Sequence, residues 1–140
     1  MDSEPHAWTS TGLARLLCEL LDAKVYVGWS AGSMIFSRRH NDVVDTFEAA
    51  RDEINMLGLS AVGPALPLLD WVLMPHLGAS FFPWATDEWA AESAARLKAP
   101  VWFLDDASAL LVTDAAVEPE VVSQGHWLRF DETGALVSSR

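Results

Sequence analysis

The sequence predicts an α/β protein with a mostly parallel sheet flanked by helices. Two observations carry this prediction. Short apolar runs rich in β-branched and aromatic residues alternate along the chain with longer segments in which leucine or alanine recurs at helical spacing. The apolar runs also lack the strict alternation of half-buried strands, and such continuous runs are typical of parallel strands covered on both faces.

The first half of the chain predicts helix, strand, helix, loop and helix. Ser10 is a candidate cap for a helix whose leucines, at positions 13, 16, 17, 20 and 21, share one face. Residues 25–29 predict a strand buried on both faces, and helical spacing resumes over residues 31–39. A polar loop at 41–45 precedes a helix at 46–56, which ends at the Leu-Gly-Leu of 57–59.

The second half predicts two further buried strands and a small antiparallel addition. Residues 70–74 form an apolar strand that Pro75 stops, and residues 101–104 form another, after an alanine-rich helix at 87–97. Short strands at 109–112, 121–123 and 127–130 predict a hairpin addition at the sheet edge. Without repeats or a long linker, residues 1–140 are expected to form one domain.

Composition excludes several classes of function. The net charge of −11 and the sequence pI near 4.5 oppose a nucleic-acid partner, which requires clustered Lys and Arg. Cys18 is the only cysteine and falls on the apolar helix face, so we expect neither disulfides nor a Cys-rich metal site. No apolar run approaches the ~18 residues of a membrane span. We expect a cytoplasmic protein with no membrane partner, metal or cofactor.

The segment Gly28-Trp29-Ser30-Ala31-Gly32 is the strongest chemical signal. In a Gly-x-Ser-x-Gly turn between a strand and a helix, the serine hydroxyl is exposed in a strained conformation, and flanking glycines avoid collisions of a Cβ. The amide of the next residue, Ala31, then points to where an oxyanion would form. Ser30 is therefore a candidate nucleophile, and a Gly/Ser turn without chemistry is the alternative.

A serine nucleophile needs a histidine base and a carboxylate to orient it. Of the four histidines, His76 alone follows a predicted parallel strand directly, at the sheet edge where α/β proteins form their sites. The other three are interpreted as surface or core residues: His6, His40 and His126. The candidate carboxylates follow the Ser30 helix or the last buried strand: Asp42, Asp45, Asp105 and Asp106.

Together these segments resemble peptidase family S51, the group that contains dipeptidase E and cyanophycinase. The resemblance rests on five landmarks in order: VYVGWSAGSM at 25–34, ND at 41–42, LGL at 57–59, MPHL at 74–77 and FLDDASALLV at 103–112. It covers about residues 10–130. It implies a three-layer fold similar to class I glutamine amidotransferases and to half of a flavodoxin-like domain.

The resemblance implies a serine peptidase that hydrolyses short peptides. Ser30 would be the nucleophile, with Gly28 and Gly32 forming the nucleophile elbow and Ala31 contributing an oxyanion-hole amide. His76 would act as general base and then acid. Asp42, from the family's Asn-Asp pair, would orient the histidine, and Asp45 is its rival for this role.

Two departures from the family pattern shape the expectations. Proteins of this kind begin with a further βα region that supplies other oxyanion-hole amides, so we expect that wall to be absent or to come from another chain. We expect a homo-oligomer, most simply a dimer, because pairing of copies would cover the apolar surface that remains exposed. No Lys or Arg occurs from Leu77 to Ala95, so a pocket for an acidic substrate residue is not expected.

Two other functions remain open. A shortened relative without catalytic activity would serve as a subunit or binding module. An α/β-hydrolase esterase would share the order Ser, Asp, His, with His126 as its base.

Overall fold

A computed structural model describes residues 10–46, 48–59 and 63–140 of the chain. Its helices and mixed sheet place the protein in the α/β class. The chain divides into two compact units, Met1–Leu68 and Leu69–Arg140, and a single domain over residues 1–140 stays a prediction. No helix within the described ranges is long and apolar enough to cross a bilayer.

Helix α1 of the first unit covers Leu13–Leu20, and most of its leucine face is exposed. Leu17 is buried in a cluster with Ile35 and Ala65. Three of the other leucines are exposed: Leu13, Leu16 and Leu20. The spacing placed the leucines on one face correctly, but burial of that face also requires an element that packs against it.

The start of α1 and the position of Cys18 differ from the predictions. Gly12, in the left-handed conformation with φ of 78°, occupies the N-cap instead of Ser10, and no side chain caps this end of the helix. Cys18 is exposed because it does not lie on the side of the helix that carries Leu17 into the cluster.

The buried strand predicted at residues 25–29 is wrong. These residues are assigned to no strand, and Val25, Val27 and Trp29 are 87%, 84% and 84% exposed. Tyr26, on the other side, packs edge-on against Phe36, with 4.9 Å between ring centroids. The described residues of the first unit contain no β-strand with which this stretch could form a ladder.

The helix predicted over residues 31–39 is limited to a short 3₁₀ helix, Ser30–Met34. The carbonyl groups of the next two residues accept hydrogen bonds from a later segment of the chain. Ile35 O accepts from Leu66 N at 3.2 Å, and Phe36 O accepts from Leu68 N at 2.9 Å. These long-range bonds replace the ones that would extend the helix.

A helix, α2 (His40–Thr46), replaces the loop predicted at residues 41–45. Val43 and Val44 are buried and form the apolar face of this helix. The other residues of the segment are mostly polar, which is why the sequence predicted a loop. Asp42 lies in the first turn, where the helix dipole favours a carboxylate.

Helix α3 covers Glu48–Met56 and agrees with the prediction to within two residues at its start. Gly58 follows with φ of 68°, and its N–H donates to Asn55 O at 3.0 Å. A glycine ends the helix here because a side chain at this φ would be strained.

The second unit contains a four-stranded mixed sheet. Its strand order is β1 (Val72–Met74), β2 (Val101–Leu104), β5 (Trp127–Phe130) and β6 (Leu136–Ser139). Only β1 and β2 are parallel, and the other neighbours are antiparallel. The prediction of a mostly parallel sheet is therefore wrong: β5 reaches β2 without the crossover helix that a parallel neighbour requires.

A separate two-stranded antiparallel sheet lies between β2 and β5 in the chain. It consists of β3 (Ser108–Leu111) and β4 (Glu120–Ser123), which pair from Ser108 opposite Ser123 to Leu111 opposite Glu120. Both strands lie within a residue of the predicted positions. They pair with each other and not with the edge of the main sheet.

Helix α4 covers Asp87–Leu97, as predicted, and one of its faces is buried. Thr86 caps its start by accepting a hydrogen bond from Trp89 N at 3.2 Å. Ala90 and Ala94 are fully buried. All four residues of β2 are also buried, and the ring centroids of Trp89 and Phe103 are 5.5 Å apart. This part of the fold agrees best with the sequence.

His126 lies in the turn between β4 and β5 and joins three parts of the second unit. Its Nε2 contacts Asp87 Oδ1 at 2.8 Å, its Nδ1 contacts the carbonyl oxygen of Arg140, and its backbone N–H donates to Asp105 Oδ2 at 2.6 Å. The hydrogen bond with Asp87 raises the pKa of His126 most; burial opposes it, and the Arg140 contact and the nearby carboxylates raise it further.

The substitution His126→Gln is expected to reduce the free energy of unfolding more at about pH 6 than at about pH 9. The folded protein binds the His126 proton more tightly than the unfolded chain, because the pKa of the folded state lies above the ordinary value of 6.5. This stabilisation is fully present below pH 6.5, the ordinary pKa of histidine, and is lost as the pH rises through the raised pKa of the folded state. Urea unfolding of parent and variant measures it, and an equal difference at both pH values would contradict it.

Candidate active site

Ser30 lies at a sharp turn where an extended segment meets the 3₁₀ helix. Trp29 is extended, with φ of −130° and ψ of 139°, and Ser30 is left-handed with φ of 52°. Three hydrogen bonds hold the turn: Gly32 N to Trp29 O at 2.9 Å, Ser33 Oγ to Ser30 O at 2.5 Å, and Tyr26 Oη to Gly32 O at 2.8 Å. Positive φ is uncommon for serine and marks stored backbone strain.

The turn around Ser30 leaves no room for a side chain at Gly28. A Cβ built on Gly28 would lie 2.8 Å from two backbone atoms, Gly32 O and Ser33 Cα. It would also lie 2.9 Å from Cε1 of Tyr26. Contacts of this kind with backbone are not relieved by a rotamer change, so the turn in its observed form accepts only glycine here.

His76 follows strand β1 after Pro75 and is also left-handed, with φ of 69°. Leu77, the next residue, donates its N–H to Leu104 O at 2.9 Å, which ties the segment to the end of β2. Ser30 and His76 are two of the three non-glycine residues with positive φ in the described chain. The third, Lys98, is the C-cap of α4, where this conformation is common.

The His76 side chain contacts Asp106. Nδ1 of His76 and Oδ1 of Asp106 are 2.7 Å apart, and the side chains are 13% and 56% exposed. Asp106 follows the carboxyl end of β2, and β1 is the parallel neighbour of β2. The carboxyl ends of these two parallel strands thus supply a histidine and a carboxylate to one site.

The neighbouring Asp105 has a structural role. Its carboxylate accepts hydrogen bonds from Ser108 Oγ at 2.6 Å, from His126 N at 2.6 Å and from Ala107 N at 3.1 Å. Burial alone would raise the pKa of Asp105, but these bonds together lower it. Gly125 provides the space, because a Cβ on it would collide with the Asp105 carboxylate.

Asp42 and Asp45, the carboxylates predicted to orient the histidine, pair with arginines of the first unit. Asp42 Oδ2 lies 2.7 Å from Arg39 Nε, and Asp45 Oδ1 contacts Arg51. The side chains of Asp42 and Asp45 are 44% and 67% exposed. The structure thus gives both aspartates a structural partner, and their catalytic role stays a prediction.

The remaining histidines have other environments. His40 begins α2, is buried, and has its pKa lowered by that burial. The contacts of His126 tie the second unit together, as described above. His6 lies outside the described residues.

An aromatic surface, which we define as Phe81, Phe82 and Trp84, borders His76. The ring centroid of His76 lies 5.2 Å from that of Phe81 and 5.6 Å from that of Phe82. Phe82 in turn contacts Trp84, with ring centroids 5.2 Å apart and the ring planes tilted by 45°. All three are exposed, so an apolar surface is contiguous with the imidazole.

Comparison with known proteins assigns the family. The model of Peptidase family S51 matches residues 5–119, which is most of the chain. The chain belongs to peptidase family S51. No curated protein and no solved structure matches it. Membership of the S51 family supports a peptidase function in general and suggests a serine peptidase.

The sequence predicts Ser30 and His76 as site residues, and both have a positive φ in the structure of this S51 chain. The sequence offers Asp106 only as one of four candidate aspartates and does not pair it with His76. The available signal was the Asp-Asp pair directly after the buried strand. It could not show which aspartate the β4–β5 turn would engage, because Gly125 and His126 are distant in sequence.

Proposed function

We propose that this S51 protein is a serine peptidase that hydrolyses short peptides, with Ser30 as nucleophile and His76 as general base. The observation that carries the proposal is the left-handed backbone at both residues within the matched region. Strain of this kind persists where the surrounding structure enforces it, and it concentrates at active sites. Gly28 and Gly32 would form the nucleophile elbow, and Asp42, by resemblance, would orient the imidazole.

The proposed reaction is acyl transfer through a covalent intermediate. Ser30 Oγ attacks the peptide carbonyl carbon while His76 takes the hydroxyl proton, and the Ala31 N–H donates to the oxyanion. His76 then protonates the leaving amine as the C–N bond breaks. Water hydrolyses the acyl-enzyme by the same route in reverse, which restores Ser30.

We also propose that the chain adopts the three-layer arrangement that its resemblance to the family implies, with a C-terminal hairpin.

The substrate preference proposed here is for an apolar residue at the cleaved bond. The aromatic surface beside His76 offers ring faces and no cation, and residues 77–95 contain no Lys or Arg. Desolvating an unpaired substrate carboxylate against such a surface is costly. An apolar side chain gains free energy in the same place by leaving water.

A panel of dipeptides tests both the activity and the preference. We expect Leu-Xaa and Phe-Xaa to be cleaved with a kcat/KM at least about tenfold above that of Asp-Xaa. Phe81→Ala should reduce this ratio, and Leu136→Ala, a similarly exposed apolar residue on β6, should not. Preferential cleavage of Asp-Xaa would refute the preference. Absence of cleavage of every dipeptide would favour the alternative, a relative that acts as a subunit or binding module.

The chain is further proposed to form a homodimer. Val25, Val27 and Trp29 expose apolar side chains along an extended segment, a combination that invites pairing with another chain. Two-fold pairing of copies would cover this surface, and stable interfaces bury more than ~1,000 Å². Sedimentation at micromolar concentration should show a dimer that Val27→Lys weakens. A folded monomer for the parent would overturn the proposal.

A further inference from the structure

We propose that helix α1 pairs with α1 of a second copy of this chain, with the two helices antiparallel. The contact would form through a leucine surface, which we define as Leu13, Leu16 and Leu20. These side chains share one face of the helix and are 44%, 48% and 40% exposed. The proposal rests on the homodimer proposed above, whose interface it names, and it is independent of peptidase activity.

Helix α1 uses only one side of its apolar face within its own unit. Leu17 packs there in a cluster with Ile35 and Ala65, and only 8% of Leu17 is exposed. The leucine surface lies beside Leu17 on the helix and stays exposed to solvent. A second apolar surface that covered these leucines would gain free energy by removing them from water.

The charged residues of α1 indicate that this second surface is another α1. Arg15 and Glu19 are exposed and project from the flank of the leucine surface that lies away from Leu17. In an antiparallel pair centred on the helix, Arg15 lies level with the partner's Glu19, and Glu19 with the partner's Arg15. Opposite charges thus meet twice across the two-fold axis. A parallel pair would place arginine against arginine and glutamate against glutamate.

Pairing of Arg15 with Glu19 inside one helix competes only weakly with this arrangement. The two residues have the spacing of an intrahelical ion pair, but the order with the cation nearer the N-terminus is the less favourable one. The contact between two antiparallel copies has no such restriction.

The chain leads directly from α1 to the segment that the homodimer is proposed to cover. One turn separates α1 from residues 25–29, and in it Ala23 N and Lys24 N both donate to Leu20 O, at 3.0 Å and 2.8 Å. Three leucines per copy would bury less than the ~1,000 Å² that a stable interface exceeds. The exposed apolar side chains of residues 25–29 would supply the additional area.

Charge reversal tests the surface and the orientation, with sedimentation velocity of the full chain as the readout. Arg15→Glu and Glu19→Arg should each raise the Kd of the dimer about tenfold, because each replaces two attractions by two repulsions. An equimolar mixture of the two variants should form a heterodimer with about the parent Kd. The doubly reversed chain should also return to about the parent Kd. A misfolded variant would not regain association on mixing.

Substitution within the leucine surface tests its apolar contact. Leu16→Lys should raise the Kd at least ~100-fold, because it places two ammonium groups close to the two-fold axis and removes two apolar side chains. Leu57→Lys is the matched control. Leu57 belongs to the same unit and is also 48% exposed, but it lies outside α1, and its substitution should leave the Kd unchanged.

The contradicting outcomes separate this inference from the other proposals. A dimeric parent in which Leu16→Lys changes the Kd no more than Leu57→Lys would overturn the α1 interface and leave the homodimer standing. A dimer that responds to Leu16→Lys but not to either charge reversal would overturn the antiparallel orientation. A monomeric parent would overturn the interface and the homodimer together, and dipeptide hydrolysis would still test the peptidase on its own.

Discussion

Replacing Ser30 or His76 by alanine is expected to reduce kcat/KM for the preferred dipeptide roughly 10⁴–10⁶-fold, with the fold retained. The double variant should be no worse than either single variant. A nucleophile and its base act as one unit, so removing the second member costs little once the first is gone. Single-turnover hydrolysis of the four proteins, with circular dichroism as a check on folding, measures this.

Independent effects of the two substitutions would contradict this prediction. If the losses from the two single variants multiply in the double variant, Ser30 and His76 act independently and do not form a nucleophile–base pair. His126→Gln serves as the matched histidine control and should retain hydrolysis. Loss of activity in His126→Gln, with His76→Ala unaffected, would instead favour the esterase alternative.

The substitution Gly28→Ala is expected to cost about 1–3 kcal/mol of stability and to lower kcat/KM at least ~100-fold. The new Cβ would lie 2.8 Å from the backbone at Gly32 and Ser33, so the turn that carries Ser30 must shift. A displacement of about 1 Å in a reacting group is enough for a loss of this size. Urea unfolding and dipeptide hydrolysis of the variant provide the two readouts.

Gly63→Ala is the matched control for this substitution. A Cβ at Gly63 meets nothing within 4 Å, and its φ is not in the left-handed region. This variant should keep the parent activity and stability. Full activity in Gly28→Ala would show that the turn around Ser30 does not need the geometry that the glycine permits.

The parts of the fold that sequence predicted well are those with strong local signals. Helix α4 has a capping threonine at Thr86 and an acidic first turn, and Pro100 precedes β2. Local chemistry does not determine whether an apolar run is covered by other elements. Residues 25–29 have the composition of a buried strand, yet Val25, Val27 and Trp29 lie exposed, because the described first unit contains no strand that could pair with this stretch.

The candidate site shows the same division. The glycines around Ser30 and the proline before His76 are local signals in the sequence. Ser30 and His76 both have a positive φ in the structure. The partner of His76 depends on contacts between distant segments. Asp105 and Asp106 are equivalent in sequence, and the amide of His126, 21 residues after Asp105, separates their roles.

Covalent labelling with a fluorophosphonate probe tests the central claim, that Ser30 is an activated nucleophile. The parent protein should form a single adduct, and tandem mass spectrometry should map that adduct to Ser30. The variant Ser30→Ala should not be labelled, and His76→Ala should be labelled far more slowly because the hydroxyl has lost its base. Equal labelling of parent and Ser30→Ala, or an adduct mapped to another serine, would contradict the claim.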